Sequence, residues 1–464
     1  MDRVTTAPSR TDQVLGELRA ELPEEVVLTN PATLETYRFD WTRAPGAGYP
    51  LAVVRATSAE QVQITIRWAG RHGVPVVPRG AGTGLSGGSS AVDGCVVLSL
   101  EKMTAVTIDP ATRTAIVEPG AINIDVKRAA AEHGLWYPPD PSSLEICSIG
   151  GNLATNAGGL CCVKYGVTTD YVLGLDVVLA DGTLITLGGP RIKDTAGLSL
   201  TKLFVGSEGT LGVFTSAVLR LVPVPAPAAT MVATFPDVTA AANAVIAIGA
   251  RLRPSMMEYM DQFCIRAVED QRRMGLDTEC GAMLITQSDA PGDARRVEAE
   301  LMETLCRERG ALECFVTDDP AEGELFTAAR RGAFQALEPF GAIMFEDVGV
   351  PIPRLPDLIT GIAAVAAEHG VQIPVVAHAG DGNTHPNVIY DAGDPDSIAR
   401  ATMAFDQVMD LAINLGGTIT GEHGVGRLKK GKLGAQLGPD VIALTHTIKN
   451  ALDPAGILNP GAVL

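Results

Sequence analysis

The sequence is poor in positive charge and in aromatic residues. Its 464 residues carry 36 Lys and Arg against 54 Asp and Glu, which gives a formal net charge of −18, and only 5% of them are aromatic. Because nucleic-acid binding depends on cations that neutralise phosphates, we expect no nucleic-acid partner. No apolar run approaches the roughly 18 residues that span a bilayer, so we also expect no transmembrane segment.

The N-terminal stretch and the cysteines lack targeting and metal motifs. The first 30 residues contain several acidic residues and lack an apolar signal core, which predicts a cytoplasmic protein. Peripheral attachment to a membrane through a partner remains open. The eight cysteines show no Cys-x-x-Cys spacing, and only Cys161 and Cys162 are adjacent. The usual iron–sulfur and structural zinc motifs are therefore excluded, and reduced thiols are predicted.

The length predicts two large domains rather than one. An α+β domain is indicated over residues 1–222, with a core from about 46 to 222, by short apolar segments bounded by Gly or Pro. Its predicted strands are Val74–Pro78, Val96–Leu100, Thr114–Glu118, Leu175–Leu179 and Leu211–Val222. Its clearest helix begins after Ser58, whose capping box uses Gln61, and ends at Gly73.

A stiff stretch, Pro223–Pro227, predicts a domain boundary, because proline cannot join the interior of a sheet. Longer strand-like segments then alternate with helices. We predict one antiparallel sheet with helices on one face, over residues 223–420. Its strands are Thr230–Phe235, Met256–Met260, Met283–Gln287 and Leu312–Val316.

Glycine is abundant, with 50 residues, and it is clustered. The loop Pro78–Gly88 contains Gly82-x-Gly84-x-x-Gly87, which fits the dinucleotide-binding motif literally. A Rossmann loop must open a helix, however, and here the strand Val96–Leu100 follows too soon. Glycines let backbone N–H groups converge on an anion, and Arg79 adds positive charge. The pattern predicts a pyrophosphate held by a loop between two strands.

Two further glycine clusters lie in the same domain, at Ile149–Gly159 and Val205–Gly212. Any one of them is most often a tight turn. Three clusters in one domain, each mixing Gly with Ser, Thr or Asn donors, favour a large polar cofactor instead.

Three of the seven histidines occur in two compact motifs. His378 and His385 flank the turn sequence Gly-Asp-Gly-Asn, which predicts a hairpin that brings the two rings together. The second motif supplies Glu422 and His423. Two histidines and one carboxylate are a common ligand set for a divalent metal, either zinc or manganese. A spare imidazole beside the metal, His423, suits removal of a hydroxyl proton.

With these motifs the chain resembles the vanillyl-alcohol oxidase / p-cresol methylhydroxylase superfamily of FAD enzymes. Within it, the resemblance is to glycolate oxidase flavin subunits and cytochrome-type D-lactate dehydrogenases. It implies a PCMH-type FAD-binding domain of two small α+β subdomains, a cap domain with an antiparallel sheet covered by helices, and a segment 421–464 that returns to the FAD domain. Some superfamily members tether flavin through a histidine of the pyrophosphate loop. This loop has Thr83 and no histidine, so FAD is expected to bind non-covalently.

The resemblance also implies residue roles. The metal ligands are His378, His385 and Glu422, the base is His423, and Asn387 lies near the substrate. Arg330 is implied to bind the substrate carboxylate, with its neighbour Arg331 as the alternative. The residues implied for FAD are Pro78, Arg79, Gly80, Ala81, Gly82, Thr83, Gly84, Ser86, Gly87, Pro139, Asp140, Ser142, Gly150, Gly151, Asn152, Thr155, Asn156, Gly158, Gly206, Glu208, Gly209, Leu211, Gly212 and Asn459.

The implied reaction oxidises a small D-2-hydroxy monocarboxylic acid, of the D-lactate or glycolate type, by metal-assisted proton abstraction and hydride transfer to flavin N5. Relatives that oxidise D-2-hydroxyglutarate carry a hydroxyl and a lysine where this chain has Phe334 and Phe345. That departure favours a monocarboxylate. The alternatives are a D-2-hydroxyglutarate dehydrogenase, a non-redox transferase of the alkyl-glycerone-phosphate synthase type, and a catalytically silent metal-binding subunit.

Electrons must leave the flavin for an external acceptor, because no haem or cysteine-cluster motif is present in the sequence. A cytochrome, a quinone, an electron-transfer flavoprotein and oxygen all remain open as that acceptor. A homodimer and a partner subunit both remain open.

Overall fold

The computed structural model describes residues 10–43 and 46–464, which form four β-sheets. The first sheet has four strands in the order β1-β2-β4-β3, with β2, β4 and β3 parallel. The helix α3 connects β2 to β3. It is capped as predicted, because Ser58 Oγ accepts from Gln61 N and Gly73 ends it in the left-handed conformation. The elements are α1 (Arg10–Glu21), β1 (Val27–Leu28), α2 (Pro31–Thr36), β2 (Ala52–Arg55), α3 (Ala59–His72), β3 (Val76–Arg79) and β4 (Val96–Ser99).

The second sheet is antiparallel, with five strands in the order β5-β6-β10-β8-β9. A two-stranded pair, β7 with β11, lies beside it. The elements are β5 (Val106–Asp109), β6 (Thr114–Val117), α4 (Asn123–Ala131), β7 (Leu135–Trp136), α5 (Ile149–Thr155), α6 (Cys162–Tyr165), β8 (Val172–Val178), β9 (Leu184–Gly188), α7 (Leu200–Phe204), β10 (Val213–Arg220) and β11 (Val222–Pro223).

The third large sheet has eight antiparallel strands, in the order β15-β12-β14-β13-β18-β19-β16, and β17 also pairs with β19. Its strands are β12 (Ala229–Phe235), β13 (Met256–Asp261), β14 (Ala282–Ser288), β15 (Glu313–Thr317), β16 (Ala342–Phe345), β17 (Val348–Gly349), β18 (Val375–His378) and β19 (Asn383–Tyr390). The helices that accompany and follow it are α8 (Val238–Gly249), α9 (Gln262–Arg272), α10 (Ala294–Glu308), α11 (Pro320–Arg331), α12 (Ala333–Leu337), α13 (Leu355–His369), α14 (Pro395–Asn414), α15 (Lys430–Leu437) and α16 (Pro439–Leu452).

Helices cover both faces of this sheet, so the prediction of helices on one face is wrong. On one face Met231 packs in a cluster with residues of α8, α10, α13 and α14. On the other, its neighbour Val232 packs in a cluster with residues of α9 and α12. Every residue of β12 is buried. A mostly apolar segment without alternation is typical of a strand buried on both sides, and β12 is apolar except at Thr230 and Thr234.

The segment after residue 420 packs against the first two sheets. Asn459 N donates to Val76 O at 2.8 Å, and the Asn459 amide donates to Gly88 O at 2.9 Å and to Glu208 O at 2.7 Å. The Lys449 ammonium on α16 donates to Thr210 O at 2.7 Å. Across the described residues, no helix is both long and apolar enough to cross a membrane.

Candidate active site

A cavity with a volume of about 310 Å³ lies between the glycine loops and the eight-stranded sheet. The loop that follows β3 runs to β4 without a helix, which confirms that it is not a Rossmann loop. Most of the residues predicted for FAD line the cavity. They are Pro78, Arg79, Gly80, Ala81, Gly82, Thr83, Gly84, Ser86, Ser142, Gly150, Gly151, Asn152, Thr155, Glu208, Gly209, Gly212 and Asn459.

The other residues predicted for FAD do not line the cavity. They are Gly87, Pro139, Asp140, Asn156, Gly158, Gly206 and Leu211. Several support its walls instead. Asp140 accepts from Cys161 N at 3.1 Å, and Asn156 ends α5 in the left-handed conformation. Gly158 faces Glu422, since an added Cβ would lie 2.6 Å from the Glu422 carboxylate.

Eight glycines line the cavity, so its walls fit a cofactor that contacts backbone closely. Some of them are also packed against neighbouring side chains. An added Cβ on Gly80 would lie 2.1 Å from Ser148 Oγ, and one on Gly82 would lie 2.0 Å from the Arg79 guanidinium. Ser148 Oγ accepts from Ala81 N and from Gly151 N, so it ties two of the glycine clusters together. Sequence reasoning missed this serine, although its position before the second cluster is that of a helix N-cap.

The predicted histidine hairpin is present, and it pairs β18 with β19. His378 and His385 lie on the strands rather than in the turn, and their ring centroids are 5.0 Å apart at 89°. Glu422 Oε1 lies 3.2 Å from His378 Nε2 and 3.3 Å from His385 Nε2. Three donor atoms that converge in this way fit one divalent ion. The structure thus brings the three predicted ligands together.

A buried carboxylate, Glu258, supports the first histidine from behind. Its Oε1 lies 2.8 Å from His378 Nδ1, and its Oε2 lies 2.9 Å from the Arg330 guanidinium. Burial alone opposes protonation of His378, but Glu258 and Glu422 outweigh it and raise the pKa of this imidazole well above its ordinary value. A carboxylate behind a histidine is a common second partner at metal sites, because it orients the ring.

His423 lines the cavity, as do His385 and Glu422. Its ring stacks on that of His385, with centroids 5.0 Å apart and planes at 10°. Burial lowers the pKa of His423 to about 4; Asp347 opposes this shift and His385 reinforces it. The imidazole is therefore neutral at neutral pH and able to accept a proton.

Arg330 and Asn387 lie behind the cavity wall rather than on it. Both are fully buried. The Arg330 guanidinium forms an ion pair with Glu258. This contact does not have the geometry of a hydrogen bond, and none of the three Arg330 side-chain nitrogens is hydrogen-bonded to another described residue. The Asn387 amide donates to His385 O at 2.8 Å. Arg331 does line the cavity and lies 3.3 Å from Asp140.

Two aromatic residues form the wall beside the histidines. Phe334 and Phe345 both line the cavity, and their ring centroids are 5.8 Å apart. Phe334 also lies 5.8 Å from the His385 ring. The wall next to the predicted metal ligands is therefore apolar.

Buried charges that sequence reasoning missed hold the loop of Glu422 and His423. Lys429, fully buried, donates to Glu346 Oε2 at 3.1 Å and to Ile419 O at 2.9 Å. Burial raises the pKa of Glu346 to about 7 against the charge of Lys429. Burial also opposes ionisation of Asp347, but His423 and Lys429 outweigh it and keep its pKa well below the ordinary value. The only sequence signal for Glu346 and Asp347 was that two adjacent acidic residues lie between two apolar segments.

Comparisons with known proteins identify the family of the chain. Residues 224–463 match the family described as FAD linked oxidases, C-terminal domain, and residues 50–188 match the family described as FAD binding domain. The p-cresol methylhydroxylase structure with bound substrate superimposes with a TM-score of 0.83, covering 99% of this chain and 98% of that chain. At 19% identity this likeness shows the fold.

Three relatives span nearly the whole chain. Glycolate oxidase subunit GlcD of Bacillus subtilis is 41% identical, over 89% of this chain and 88% of that protein. D-lactate dehydrogenase of Archaeoglobus fulgidus is 34% identical, over 93% of this chain and 96% of that protein. D-2-hydroxyglutarate dehydrogenase of Xanthomonas citri is 35% identical, over 97% of both chains. The chain therefore belongs to the family of FAD-linked oxidases defined by this C-terminal domain, and it carries the FAD-binding domain of that family as well.

Proposed function

We propose that this FAD-linked enzyme oxidises a small D-2-hydroxy monocarboxylic acid, such as D-lactate or glycolate, to the 2-oxo acid. The observation that carries the proposal is the placement of a neutral imidazole, His423, on the cavity wall next to His385 and Glu422. Oxidation of an alcohol removes the hydroxyl proton and the hydride on C2. FAD, when bound, supplies the acceptor for that hydride.

His423 takes the hydroxyl proton, because it is the imidazole on the wall that the proposed metal set leaves unused. His378, His385 and Glu422 would hold a divalent ion, zinc or manganese, which would supply a Lewis acid. Glu258 orients His378 by accepting from its Nδ1. The electrons leave for an external acceptor: a cytochrome, a quinone, an electron-transfer flavoprotein or oxygen.

The cavity wall favours one carboxylate over two. Phe334 and Phe345 are apolar, and Glu338 adds a negative charge to the same wall. Arg79 and Arg331 are the cations on the wall among the described residues, and Arg79 belongs to the glycine loop. A second substrate carboxylate would meet repulsion from Glu338. D-2-hydroxyglutarate is the second candidate substrate, because a relative of that name covers nearly the whole chain.

The test is anaerobic bleaching of the flavin spectrum with a panel of D-lactate, L-lactate, glycolate and D-2-hydroxyglutarate. A dye acceptor then gives kcat/KM without the physiological partner. We expect D-lactate or glycolate to bleach the flavin fastest. A clear preference for D-2-hydroxyglutarate would replace the substrate assignment. If no hydroxy acid bleaches the flavin, the result favours a non-redox transferase of the alkyl-glycerone-phosphate synthase type or a catalytically silent metal-binding subunit.

Non-covalent FAD is expected from the loop that follows β3, which has Thr83 and no histidine. Acid precipitation of the purified protein should leave all the flavin absorbance in the supernatant. Flavin that stays with the precipitate would show a covalent bond elsewhere in the cavity.

We propose Arg330 as the anchor of the substrate carboxylate, because its ion pair with Glu258 leaves the buried Nε and Nη1 without hydrogen-bond partners among residues 10–43 and 46–464. Such donors are costly unless a ligand satisfies them. Arg330→Lys keeps the charge but loses the planar fork, so kcat/KM should fall by roughly 10- to 100-fold. Arg331→Lys is the matched comparison. A larger loss in Arg331→Lys than in Arg330→Lys would transfer the role to Arg331, which already lines the cavity.

A further inference from the structure

A second cavity, with a volume of about 520 Å³, meets the proposed metal ligands from outside the cofactor cavity. It is bounded by the stretch around α6, the end of β17, the turn between β18 and β19, and the segment after α14. Pro351, Asp381 and Gly421 on its wall are exposed, whereas Gly158 and His378 are buried. The cavity therefore runs from the protein surface to the ligands, and the proposed reaction does not use it.

The two cavities share one ligand. Glu422 lines both of them, whereas His385 lines the cofactor cavity and His378 lines the second cavity. Glu422 Oε1 lies between the two histidines, 3.2 Å from His378 Nε2 and 3.3 Å from His385 Nε2. Its Oε2 faces Gly158, where an added Cβ would lie 2.6 Å away. Gly158, predicted for FAD, lines the second cavity instead. An ion held by these ligands would border both cavities.

The charges on the two walls differ. Asp381 and Glu422 line the second cavity, and no Lys or Arg of the described residues does. The cofactor cavity carries Arg79 and Arg331. A cleft lined by charge of one sign concentrates ions of the opposite sign and speeds their arrival. A divalent cation is therefore drawn into the second cavity more strongly than into the first.

We propose that the second cavity is a port through which a divalent cation reaches and leaves His378, His385 and Glu422 while FAD is bound. FAD, when bound, fills the space beside Glu422 in the cofactor cavity and closes the approach from that side. The inference rests on the metal set of the proposed function. It concerns a route rather than a reaction, so ion exchange measures it without substrate.

The test follows zinc exchange by stopped flow, using chelator-treated, FAD-loaded protein and a zinc-responsive dye. Loss of free zinc measures uptake, and transfer to an excess of dye measures release. His378→Ala identifies the signal of this site, because zinc bound elsewhere remains in that variant. Although solvent reaches Asp381, the surrounding walls desolvate its carboxylate and raise its pKa to about 7, while His378 opposes the shift. The measurements are therefore made at pH 8, where this carboxylate is ionised.

Asp381→Asn removes the charge but keeps the acceptor that Asp381 Oδ1 offers to Asn383 N at 3.1 Å. Zinc uptake should slow about tenfold, because the attraction at the port is weakened. Added salt should slow uptake by the wild type more than uptake by the variant. Glu338→Gln is the matched control, since it removes an exposed acid from the wall of the cofactor cavity. It should take up zinc at the wild-type rate.

Val167→Phe tests the route itself, because it enlarges a half-buried side chain on the wall of the second cavity. A narrower path raises the barrier in both directions and leaves the free energies of its two ends unaltered. Uptake and release should therefore both slow by the same factor, about tenfold, while the Kd for zinc stays at the wild-type value. A change confined to the metal ligands would alter the Kd instead.

Wild-type exchange rates in both Asp381→Asn and Val167→Phe would overturn the proposal, as would slower uptake in Glu338→Gln alone. If Val167→Phe fails to fold, the rate and salt dependence of uptake in Asp381→Asn decide the question. Wild-type protein that binds no zinc would remove the metal set and the port together. Exchange as expected, with no flavin bleaching by any hydroxy acid, would keep the port and remove the proposed oxidation.

Discussion

His423→Ala should retain FAD and metal yet reduce its flavin about 10²- to 10⁴-fold more slowly than the wild type, the range expected for loss of a general base. The reason is the position of the ring, stacked on His385 at the cavity wall, and its pKa, which burial lowers to about 4. The measurement is anaerobic stopped-flow bleaching with the best substrate of the panel. KM should change less than the bleaching rate, because proton removal belongs to the chemical step.

The control for this variant is His446→Ala, which removes an exposed imidazole from α16. It should bleach at the wild-type rate. Because His423 is neutral at neutral pH, the wild-type rate should decline only as the pH falls toward about 4. Wild-type bleaching in His423→Ala would assign proton removal to another group.

His378→Ala should lose bound metal and turnover together. The substitution removes one of three converging donors and leaves Glu258 paired with Arg330 alone. Loss of several kcal/mol of Lewis-acid stabilisation corresponds to roughly a thousandfold in rate. The measurements are metal content by elemental analysis and turnover with a dye acceptor.

Chelation of the wild type should reproduce the loss while FAD stays bound, because the glycine loops that line most of the cofactor cavity supply none of the proposed metal ligands. Zinc and manganese added back separately would then identify the active ion. If turnover survives after the metal is removed, the ion has a structural role or is not bound at this site.

Most of the correct predictions rest on sequence patterns within short segments. The cap at Ser58, the glycine at residue 73 and the alternation of strands and turns depend on residues a few positions apart. The hairpin of His378 and His385 also follows from its own turn sequence. Exclusion of a Rossmann loop needed only the distance from the glycines to the next strand. These features could be predicted because their causes lie within one short segment.

The partners of the histidines were not predictable in that way. Glu258 reaches His378 because β13 lies beside β18 in the sheet, although 120 residues separate the two positions. Asp347 reaches the Glu422–His423 loop across a gap of 76 residues. Strand order decides these contacts, and nothing in the local pattern around residue 258 or 347 encodes it. A lone carboxylate inside the apolar segment Met256–Met260 was the available hint.

The second missed feature, helices on both faces of the eight-stranded sheet, had a readable signal. β12 is apolar at nearly every position, whereas a strand with one solvated face alternates. No sequence signal indicated that Arg330 lies behind the cavity wall. Arg330 and Arg331 are adjacent on α11, and the sequence does not determine which of them faces the cavity.

The contacts of Asn459 set an order of events during synthesis. Its amide closes on the carbonyl of Gly88, which lies 371 residues earlier in the chain. At about 5–20 residues per second, translation of that interval takes roughly 20 to 70 seconds. For all of that time the first glycine loop has been made, but the residue that joins it to the last segment has not. The cofactor cavity is therefore one of the last parts of the protein to be completed, long after its first loop has been synthesised.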